Sequence, residues 1–303
     1  MRSKIDFIAV GADAGGSKCS VRCQKGSWSA QSEGASFNVS GADPLEFAEQ
    51  FARQVEMLLP DPSDVNHIRC CIGVAGGGSP HFKQACEEFL ASRWRVSLEH
   101  ILVVTDARVA LEAAHPQEAG VIVIAGTGSG CYGRAAPSSE ILRTGGWGPR
   151  LGDPGSGTAI ATLGVTSLLR ELETGPLSAF GERVLAHLDI EEPSVASVLA
   201  VFYNAALRIA GLAPAILELF EGGNIVAREI VTSQCDLLAT QCERLARRLG
   251  NEDPNICLTG GLTNNAGYTG VLIRALAKVL PSARVSHSPR LPVEGALDLA
   301  HGL

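Results

Sequence analysis

A carboxylate precedes a glycine-rich turn in the segment GADAGGSK, residues 11–18. Asp13 stands just before this turn, which contains Gly15, Gly16, Ser17 and Lys18. Backbone N–H groups and hydroxyls in such a turn can bind phosphate oxygens, while an aspartate can hold Mg²⁺ through water. A P-loop is excluded, because the Ser-Lys order is reversed and a strand follows. An ordinary hairpin with an Asx turn remains the alternative.

A similar turn occurs in the second half of the chain, in AGTGSG at residues 125–130. Thr127 and Ser129 supply hydroxyls, and Gly126 and Gly128 allow a ligand to approach the backbone closely. A simple hairpin turn explains this segment equally well by itself. Two glycine-and-hydroxyl turns at equivalent places in a repeat favour phosphate binding.

Asp106 ends the apolar segment VVTDA, residues 103–107. A carboxylate at the carboxyl end of a buried strand can accept a proton from a substrate hydroxyl. Thr105 or Asp106 can instead cap the following helix. One residue can serve both purposes.

The segment GGWGPRLGDPGSG, residues 145–157, holds six glycines around Trp147 and Asp153. Neither a helix nor a strand tolerates so much glycine in its interior. The segment is therefore either a surface loop or a loop whose backbone approaches a ligand closely. In the second case, the Trp147 indole and the Asp153 carboxylate would be aimed at the ligand.

Two further segments contain candidate binding residues. Asn38 in GASFNVS can both donate and accept hydrogen bonds, although a loop asparagine is the simpler interpretation. Gly260 and Gly261 in LTGGLTNN follow an apolar strand, where bare backbone suits a flat base. A plain strand-to-helix turn explains the two glycines equally well.

The hydrophobic pattern predicts the same order of elements in each half of the chain. The first half is expected to contain strands at 5–12, 18–24, 27–33, 67–76 and 100–107 and helices at 43–59, 79–93 and 108–114. The second half is expected to contain strands at 119–128, 129–135, 139–146, 255–261 and 283–288, a helix-rich stretch at 156–249, and helices at 266–280 and from 292.

This duplication predicts two similar α/β domains that face each other across a cleft. The first domain is expected to span residues 1–116 and the second residues 117–291. The helix at 292–303 is expected to pack back on the first domain. The glycine turns fall at the carboxyl ends of strands, where open α/β sheets bind ligands.

Composition narrows the class of protein. A net charge of −7 over 303 residues provides no basic surface for nucleic acid. No apolar stretch reaches the roughly 18 residues of a membrane span, so no membrane partner is expected. Nine irregularly spaced cysteines suggest free thiols, and the expected location is the cytoplasm.

Taken in order, these motifs resemble those of the actin-like ATPase and sugar kinase superfamily. Residues 13–17 resemble its first phosphate motif, residues 125–129 its second, and residues 259–262 its adenosine motif. The loop at 145–157 resembles that of the N-acetylglucosamine kinase branch, and the tail PRLPVEGALDLA is similar as well. This branch shares a broad family with benzoyl-CoA reductase-type ATPases. The resemblance covers nearly the whole chain and implies two ribonuclease H-like domains.

The resemblance implies ATP-dependent phosphorylation of the 6-hydroxyl of an amino sugar, with Mg²⁺ as cofactor. Asp106 would be the catalytic base, and Asp13 would hold Mg²⁺ through water. The residues implied in nucleotide binding are Asp13, Gly15, Gly16, Ser17, Lys18, Gly126, Thr127, Gly128, Ser129, Gly260 and Gly261. Those implied in sugar binding are Asn38, Asp106, Gly145, Gly146, Trp147 and Asp153. The partners are a small amino sugar and ATP, and a homodimer is left open.

Two departures from the family pattern bear on substrate choice. Ser17 replaces the commoner threonine but keeps a hydroxyl, whereas Pro154 replaces the usual glutamate after Asp153. Losing that carboxylate favours the neutral N-acetylglucosamine over the cationic glucosamine. Glucosamine kinase activity is the main alternative. An activator ATPase of a radical enzyme is less favoured, because Cys131 has no suitable partner cysteine, and a non-catalytic sugar sensor is less favoured because Asp106 and both turns are present.

Overall fold

The computed structural model describes residues 7–15, 18–35, 43–75, 79–148, 150–204 and 209–303. The chain divides into two compact units. Unit 1 contains residues 1–118 and 288–303, and unit 2 contains residues 119–287.

Unit 1 is built on one mixed sheet. Its strands are β1 (Ile8–Ala14), β2 (Lys18–Lys25), β3 (Trp28–Ala35), β4 (Ile68–Val74) and β5 (Ile101–Thr105). Its helices are α1 (Pro44–Glu56), α2 (Pro80–Trp94) and α3 (Asp106–Ala114), and α10 (Pro292–His301) returns from the end of the chain. The sheet order is β3-β2-β1-β4-β5, in which β1 pairs antiparallel with β2 and parallel with β4.

Unit 2 repeats this plan. Its strands are β6 (Gly120–Ala125), β7 (Ser129–Arg134), β8 (Leu142–Gly145), β9 (Asn255–Thr259) and β10 (Arg284–His287), in the order β10-β9-β6-β7-β8. Its helices are α4 (Gly157–Thr174), α5 (Ala179–Leu188), α6 (Val195–Asn204), α7 (Ala213–Glu221), α8 (Ile225–Arg248) and α9 (Ala266–Val279). In each sheet an antiparallel meander is followed by parallel strands, and the order of elements repeats as the sequence pattern predicts.

The two faces of the unit 1 sheet pack against different helices because β1 alternates its side chains. Ile8, Val10, Ala12 and Ala14 belong to a large apolar core that also includes α1 and α2 side chains. Ala9 faces a smaller cluster with residues of α3 and α10. Asp13 follows Ala9 and Gly11 in this alternation, so its carboxylate belongs to the face that α10 covers.

Glycines let α10 and α3 approach the sheet closely. A β-carbon at Gly11 would lie 2.5 Å from the backbone nitrogen of Leu297 and 2.7 Å from the carbonyl of Val293, both on α10. A β-carbon at Gly73 would overlap the side chain of Val109 on α3, and one at Gly295 would overlap the α3 backbone. This close packing positions the ends of β1 and β5 relative to each other.

Several strands end earlier than predicted at functional positions. β6 ends at Ala125 instead of 128, β8 at Gly145 instead of 146, and β9 at Thr259 instead of 261, so the glycine turns follow the strands. Asp106 was expected within a strand at 100–107, but β5 ends at Thr105 and α3 begins at Asp106. The apolar run continues the strand pattern past the true boundary. Thr105 is the N-cap residue but its side chain makes no capping bond, and the Asp106 Oδ1 accepts a hydrogen bond from the N–H of Ala107 at 2.9 Å.

In the part of the chain that the structure describes, no single helix has the length and apolar character needed to cross a membrane. The segments 209–221 and 225–248 satisfy these requirements only as a pair, and they are bent by 115°.

Candidate active site

Asp13 and Asp106 both lie at the carboxyl edge of the unit 1 sheet. β1, β4 and β5 run parallel, with Asp13 paired to Gly73 and Thr105 paired to Val74. Asp13 is therefore near the end of β1, while Asp106 comes directly after β5, two strands away. Parallel pairing thus brings together two carboxylates that are 93 positions apart in the sequence.

The surroundings of both carboxylates favour their protonated forms. Burial raises the pKa of Asp13 from 3.8 to about 6, the negative charge of Asp106 adds to the rise, and the Lys18 ammonium opposes it. Burial also raises the pKa of Asp106, against hydrogen bonds from its own N–H and that of Ala107. Raised carboxyl pKa values at the end of a sheet are typical of acid–base or metal-binding sites, and also of structural pairs.

Asp13 opens onto a cavity of about 340 Å³ within unit 1. The wall also contains Lys18, Arg22 and Glu33, so charges of both signs surround the space. Lys18 Nζ lies 2.7 Å from Glu33 Oε1, and both side chains are exposed. A larger groove of about 1120 Å³, lined by residues of α1 and α2, contains none of the predicted site residues.

The second glycine turn, in unit 2, is held by the start of α4. The carbonyl of Gly126 accepts the N–H of Gly157 at 2.8 Å. The carbonyl of Thr127 accepts both the N–H and the hydroxyl of Thr158, at 3.2 and 2.8 Å. The N–H groups of Thr127 and Gly128 have no acceptor among the described residues, so they are available to an anion.

Gly260 and Gly261 lie beside this turn. Gly260 has φ +102°, and a β-carbon there would overlap the backbone of Ala125 at the end of β6. Gly261 is exposed, and no atom lies within 4 Å of the point where a β-carbon would stand. A β-carbon at Gly126 would lie 3.7 Å from the Gly261 nitrogen, so the turn and the glycine pair present bare backbone to the same region.

The loop at residues 145–157 combines exposed and buried candidates. Gly145 and Gly146 have φ values of +71° and +66°, which explains why glycine occupies both positions. The Trp147 side chain is 62% exposed and is therefore accessible to a ligand. Asp153 is 4% exposed and has φ +58°.

The Asp153 carboxylate connects the loop with the second glycine turn. Its Oδ1 accepts the N–H of Gly148 at 3.1 Å. A β-carbon at Gly128 would lie 2.7 Å from its Oδ2. Asp153 therefore holds the loop and packs directly against the turn.

Ser129 uses its hydroxyl within the protein. Its Oγ donates to the carbonyl of Pro154 at 2.7 Å, and the residue is 5% exposed. The sequence predicted a phosphate contact for this hydroxyl. Its observed partner belongs to the loop at 145–157, so this side chain connects the turn with the loop.

Three predicted residues, Gly16, Ser17 and Asn38, lie outside the described residues. The rest of the first turn is represented by Gly15, whose N–H donates to the carbonyl of Lys18 at 2.9 Å.

A family model supplies the decisive comparison. The model of the BadF/BadG/BcrA/BcrD ATPase family matches residues 10–297. The chain belongs to this family. The matched range includes every residue predicted here for a catalytic or binding role.

Two curated proteins that are similar to this chain are named as kinases. One is the N-acetylmuramic acid/N-acetylglucosamine kinase of Clostridium acetobutylicum, 29% identical over 207 residues. That match spans 65% of each chain, slightly less than two thirds of the relative's length. The other is the N-acetyl-D-glucosamine kinase of Dictyostelium discoideum, 25% identical over 79% of this chain and 77% of the relative.

Solved structures confirm the predicted actin-like α/β fold. A protein of Chromobacterium violaceum, provisionally named an N-acetylglucosamine kinase, matches with a TM-score of 0.78 and 20% identity, covering 98% of this chain and 99% of the other. A ROK-family glucokinase of Streptomyces griseus, solved with glucose and AMPPNP, matches with a TM-score of 0.56 and 14% identity, covering 97% and 98%. At these identities the similarity establishes the fold.

Sequence reasoning missed two buried side chains that contact the loop at 145–157. Gln234 on α8 and Tyr268 on α9 both bond to Gly155. A weak indication of Gln234 existed in the sequence, because it is a polar residue on a helix face formed by Val231, Cys235 and Leu238. No local pattern singled out Tyr268.

Proposed function

We propose that this protein transfers the γ-phosphoryl group of ATP to the 6-hydroxyl of an amino sugar, with N-acetyl-D-glucosamine as the preferred acceptor. The observation that carries the proposal is the placement of Asp106 beside Asp13 at the carboxyl edge of the unit 1 sheet. The names of two relatives and the ATPase family support the same activity.

Asp106 acts as the general base in this proposal. The 6-hydroxyl oxygen forms a bond to the γ-phosphorus, the bond between the γ-phosphorus and the β–γ bridging oxygen breaks, and ADP leaves. The hydroxyl proton passes to the Asp106 carboxylate. Burial raises the pKa of Asp106, which makes it a better proton acceptor, while the Ala107 N–H orients its Oδ1.

Asp13 fits a role in binding Mg²⁺. Among the described residues, no three His, Cys, Asp or Glu side chains form a metal-binding group. Mg²⁺ commonly takes only one or two protein carboxylates and completes its shell with water and substrate phosphates, so a single aspartate is sufficient. When bound, Mg²⁺ neutralises charge on the phosphates. Asp13 would hold the ion, and the nearby Lys18 ammonium would compensate part of the negative charge of the phosphates.

Unit 2 supplies nucleotide contacts through its backbone. The unused N–H groups of Thr127 and Gly128 suit phosphate oxygens. Gly260 and Gly261 provide side-chain-free backbone suited to adenosine. Gly15, Gly16, Ser17 and Lys18 of the first turn would bind the transferred phosphate from unit 1.

The acceptor sugar would be recognised by the loop at 145–157, through Gly145, Gly146, Trp147 and Asp153, together with Asn38. Pro154 places no carboxylate after Asp153, so the loop offers no additional anion to a protonated amine. This favours the neutral acetamido group of N-acetylglucosamine over glucosamine.

The acceptor is tested by initial rates in a coupled ADP-release assay at one pH with saturating ATP and Mg²⁺. The panel contains N-acetylglucosamine, N-acetylmuramic acid, glucosamine and glucose. N-acetylmuramic acid is included because the Clostridium acetobutylicum relative is named for it. We expect the highest kcat/KM for N-acetylglucosamine. A tenfold preference for glucosamine, about 1.4 kcal/mol of discrimination, would refute the proposed preference of the loop for N-acetylglucosamine, while the proposed kinase activity would stand.

The role of Asp106 is tested with Asp106→Asn, which keeps the side-chain shape and an oxygen that can accept the Ala107 N–H. kcat is expected to fall by about 10² or more, with sugar binding by titration largely retained. Near-normal turnover would refute the assignment. ATP hydrolysis without phosphorylation of any sugar would instead support an activator ATPase, and sugar binding without turnover would support a sensor.

A further inference from the structure

Residues 153–155 belong to the loop at 145–157. Side chains from three other elements of unit 2 make hydrogen bonds to this segment. Ser129 Oγ, at the start of β7, donates to the Pro154 carbonyl at 2.7 Å. Gln234 Oε1 on α8 accepts the Gly155 N–H at 3.1 Å. Tyr268 Oη on α9 donates to the Gly155 carbonyl at 2.6 Å. Both the N–H and the carbonyl of Gly155 are therefore hydrogen-bonded to side chains of the surrounding helices.

The two helical side chains are buried, so their bonds to Gly155 are protected from water. Tyr268 is 0% exposed and Gln234 is 8% exposed. Buried polar groups without partners are costly, and an apolar side chain could fill either position without that requirement. We therefore infer that these two side chains fix the position of the Gly155 backbone in addition to stabilising the fold.

Gly155 itself has little freedom to move. Its φ is +80°, and a β-carbon there would lie 2.8 Å from Leu238 Cδ2 and 3.1 Å from Tyr268 Oη. Asp153, two residues earlier, also has a positive φ, +58°. A segment with two such residues needs surrounding contacts to keep its conformation.

The position of the Asp153 carboxylate depends on this segment. Its Oδ1 accepts the Gly148 N–H, and its Oδ2 packs against Gly128. A change in the backbone at Gly155 would shift Asp153 and, through Gly148, the neighbouring Trp147. Gln234 and Tyr268 are thus connected to both proposed sugar contacts of the loop without lying in the glycine turns that would bind ATP.

We propose that Gln234 and Tyr268 are positioning residues for the acceptor sugar, acting through Gly155 on Asp153 and Trp147. The inference rests on the proposed sugar kinase activity. It predicts a larger effect on sugar KM than on ATP KM, because Asp153 is a proposed sugar contact and reaches the phosphate turn only through Gly128.

The test uses Gln234→Met and Tyr268→Phe in the full chain, each of which removes one bond to Gly155 and keeps a similar volume. We expect KM for N-acetylglucosamine to rise by about tenfold in each variant, the scale of one lost hydrogen bond. KM for ATP should rise by a clearly smaller factor, because the bonds of Gly126 and Thr127 to the start of α4 still hold the phosphate turn. Gln234→Glu, which retains an acceptor for the Gly155 N–H, should keep a sugar KM closer to that of the wild type.

Tyr203→Phe is the matched control, because Tyr203 is 73% exposed and outside these contacts. It should leave both KM values unchanged. If one variant does not fold, as judged by circular dichroism, the other carries the test.

An unchanged sugar KM in the folded variants, or equal rises in sugar and ATP KM, would overturn the positioning role while the kinase activity stands. A wild-type chain that phosphorylates no sugar would overturn the proposed function, and this inference with it.

Discussion

Replacing Asp13 by asparagine should stabilise unit 1 at neutral pH while weakening the use of Mg²⁺·ATP. The pKa of Asp13 is raised from 3.8 to about 6, first by burial and then by the charge of Asp106, against the opposing effect of Lys18. An ionised carboxylate is therefore unfavourable in the folded protein. Asparagine removes that charge and retains a polar side chain of the same shape.

The sign and size follow from linkage. Because the folded pKa lies above the unfolded one, the folded chain binds the proton more tightly, and stability falls as pH rises from about 4 to about 6. Above this window the penalty is constant at about 3 kcal/mol, from about 1.4 kcal/mol per pKa unit. Asp13→Asn should recover most of it at pH 7.5 and less than about 1 kcal/mol at pH 4.

The measurement is urea unfolding followed by tryptophan fluorescence at both pH values. Trp94 is fully buried in unit 1, whereas Trp147 in unit 2 is already 62% exposed, so the change in fluorescence on unfolding reports mainly unit 1. In parallel, KM for ATP at fixed Mg²⁺ should rise in the variant, because the proposed metal contact is lost.

Asp61→Asn is a control of opposite sign. The pKa of Asp61 is lowered by hydrogen bonds from the side chain and backbone of Ser63, so its ionised form is favoured in the folded state. This variant should not stabilise the protein at pH 7.5. A stability of Asp13→Asn equal to that of the wild type, or a difference that does not change with pH, would refute the reasoning.

Two other variants or probes test the structure itself. Gly260→Ala should lower the free energy of unfolding of unit 2 in urea by more than about 2 kcal/mol, because φ is +102° and a β-carbon would overlap Ala125. Gly261→Ala should change it little, because the space there is open, and equal effects of the two variants would contradict the local geometry. All nine cysteines are buried, and burial raises the pKa of thiols such as that of Cys86. A thiol reagent should therefore label no cysteine in the native protein and all nine in denaturant, and rapid labelling of the native protein would contradict the buried core.

The order of elements and the glycine turns could be predicted from the sequence because both depend on local properties. Alternation along residues 18–24 places Cys19, Val21 and Cys23 on the buried face of a strand, as found. Repetition of the same pattern in the second half predicted the second sheet. The end of β5 was placed two residues too late, because hydrophobicity alone does not mark where the backbone changes from strand to helix.

Local chemistry in the sequence determined the candidate turns, the Asp106 candidate and the unusual loop at 145–157, because glycine, hydroxyl and carboxylate groups can be recognised residue by residue. Only the tertiary structure decided that Ser129 bonds to Pro154 and that Gln234 and Tyr268 bond to Gly155. The last two contacts span 79 and 113 positions. Such contacts depend on how helices pack against a sheet. That packing arises from the burial of the whole apolar surface, so the local sequence provided only a weak indication of Gln234 and none of Tyr268.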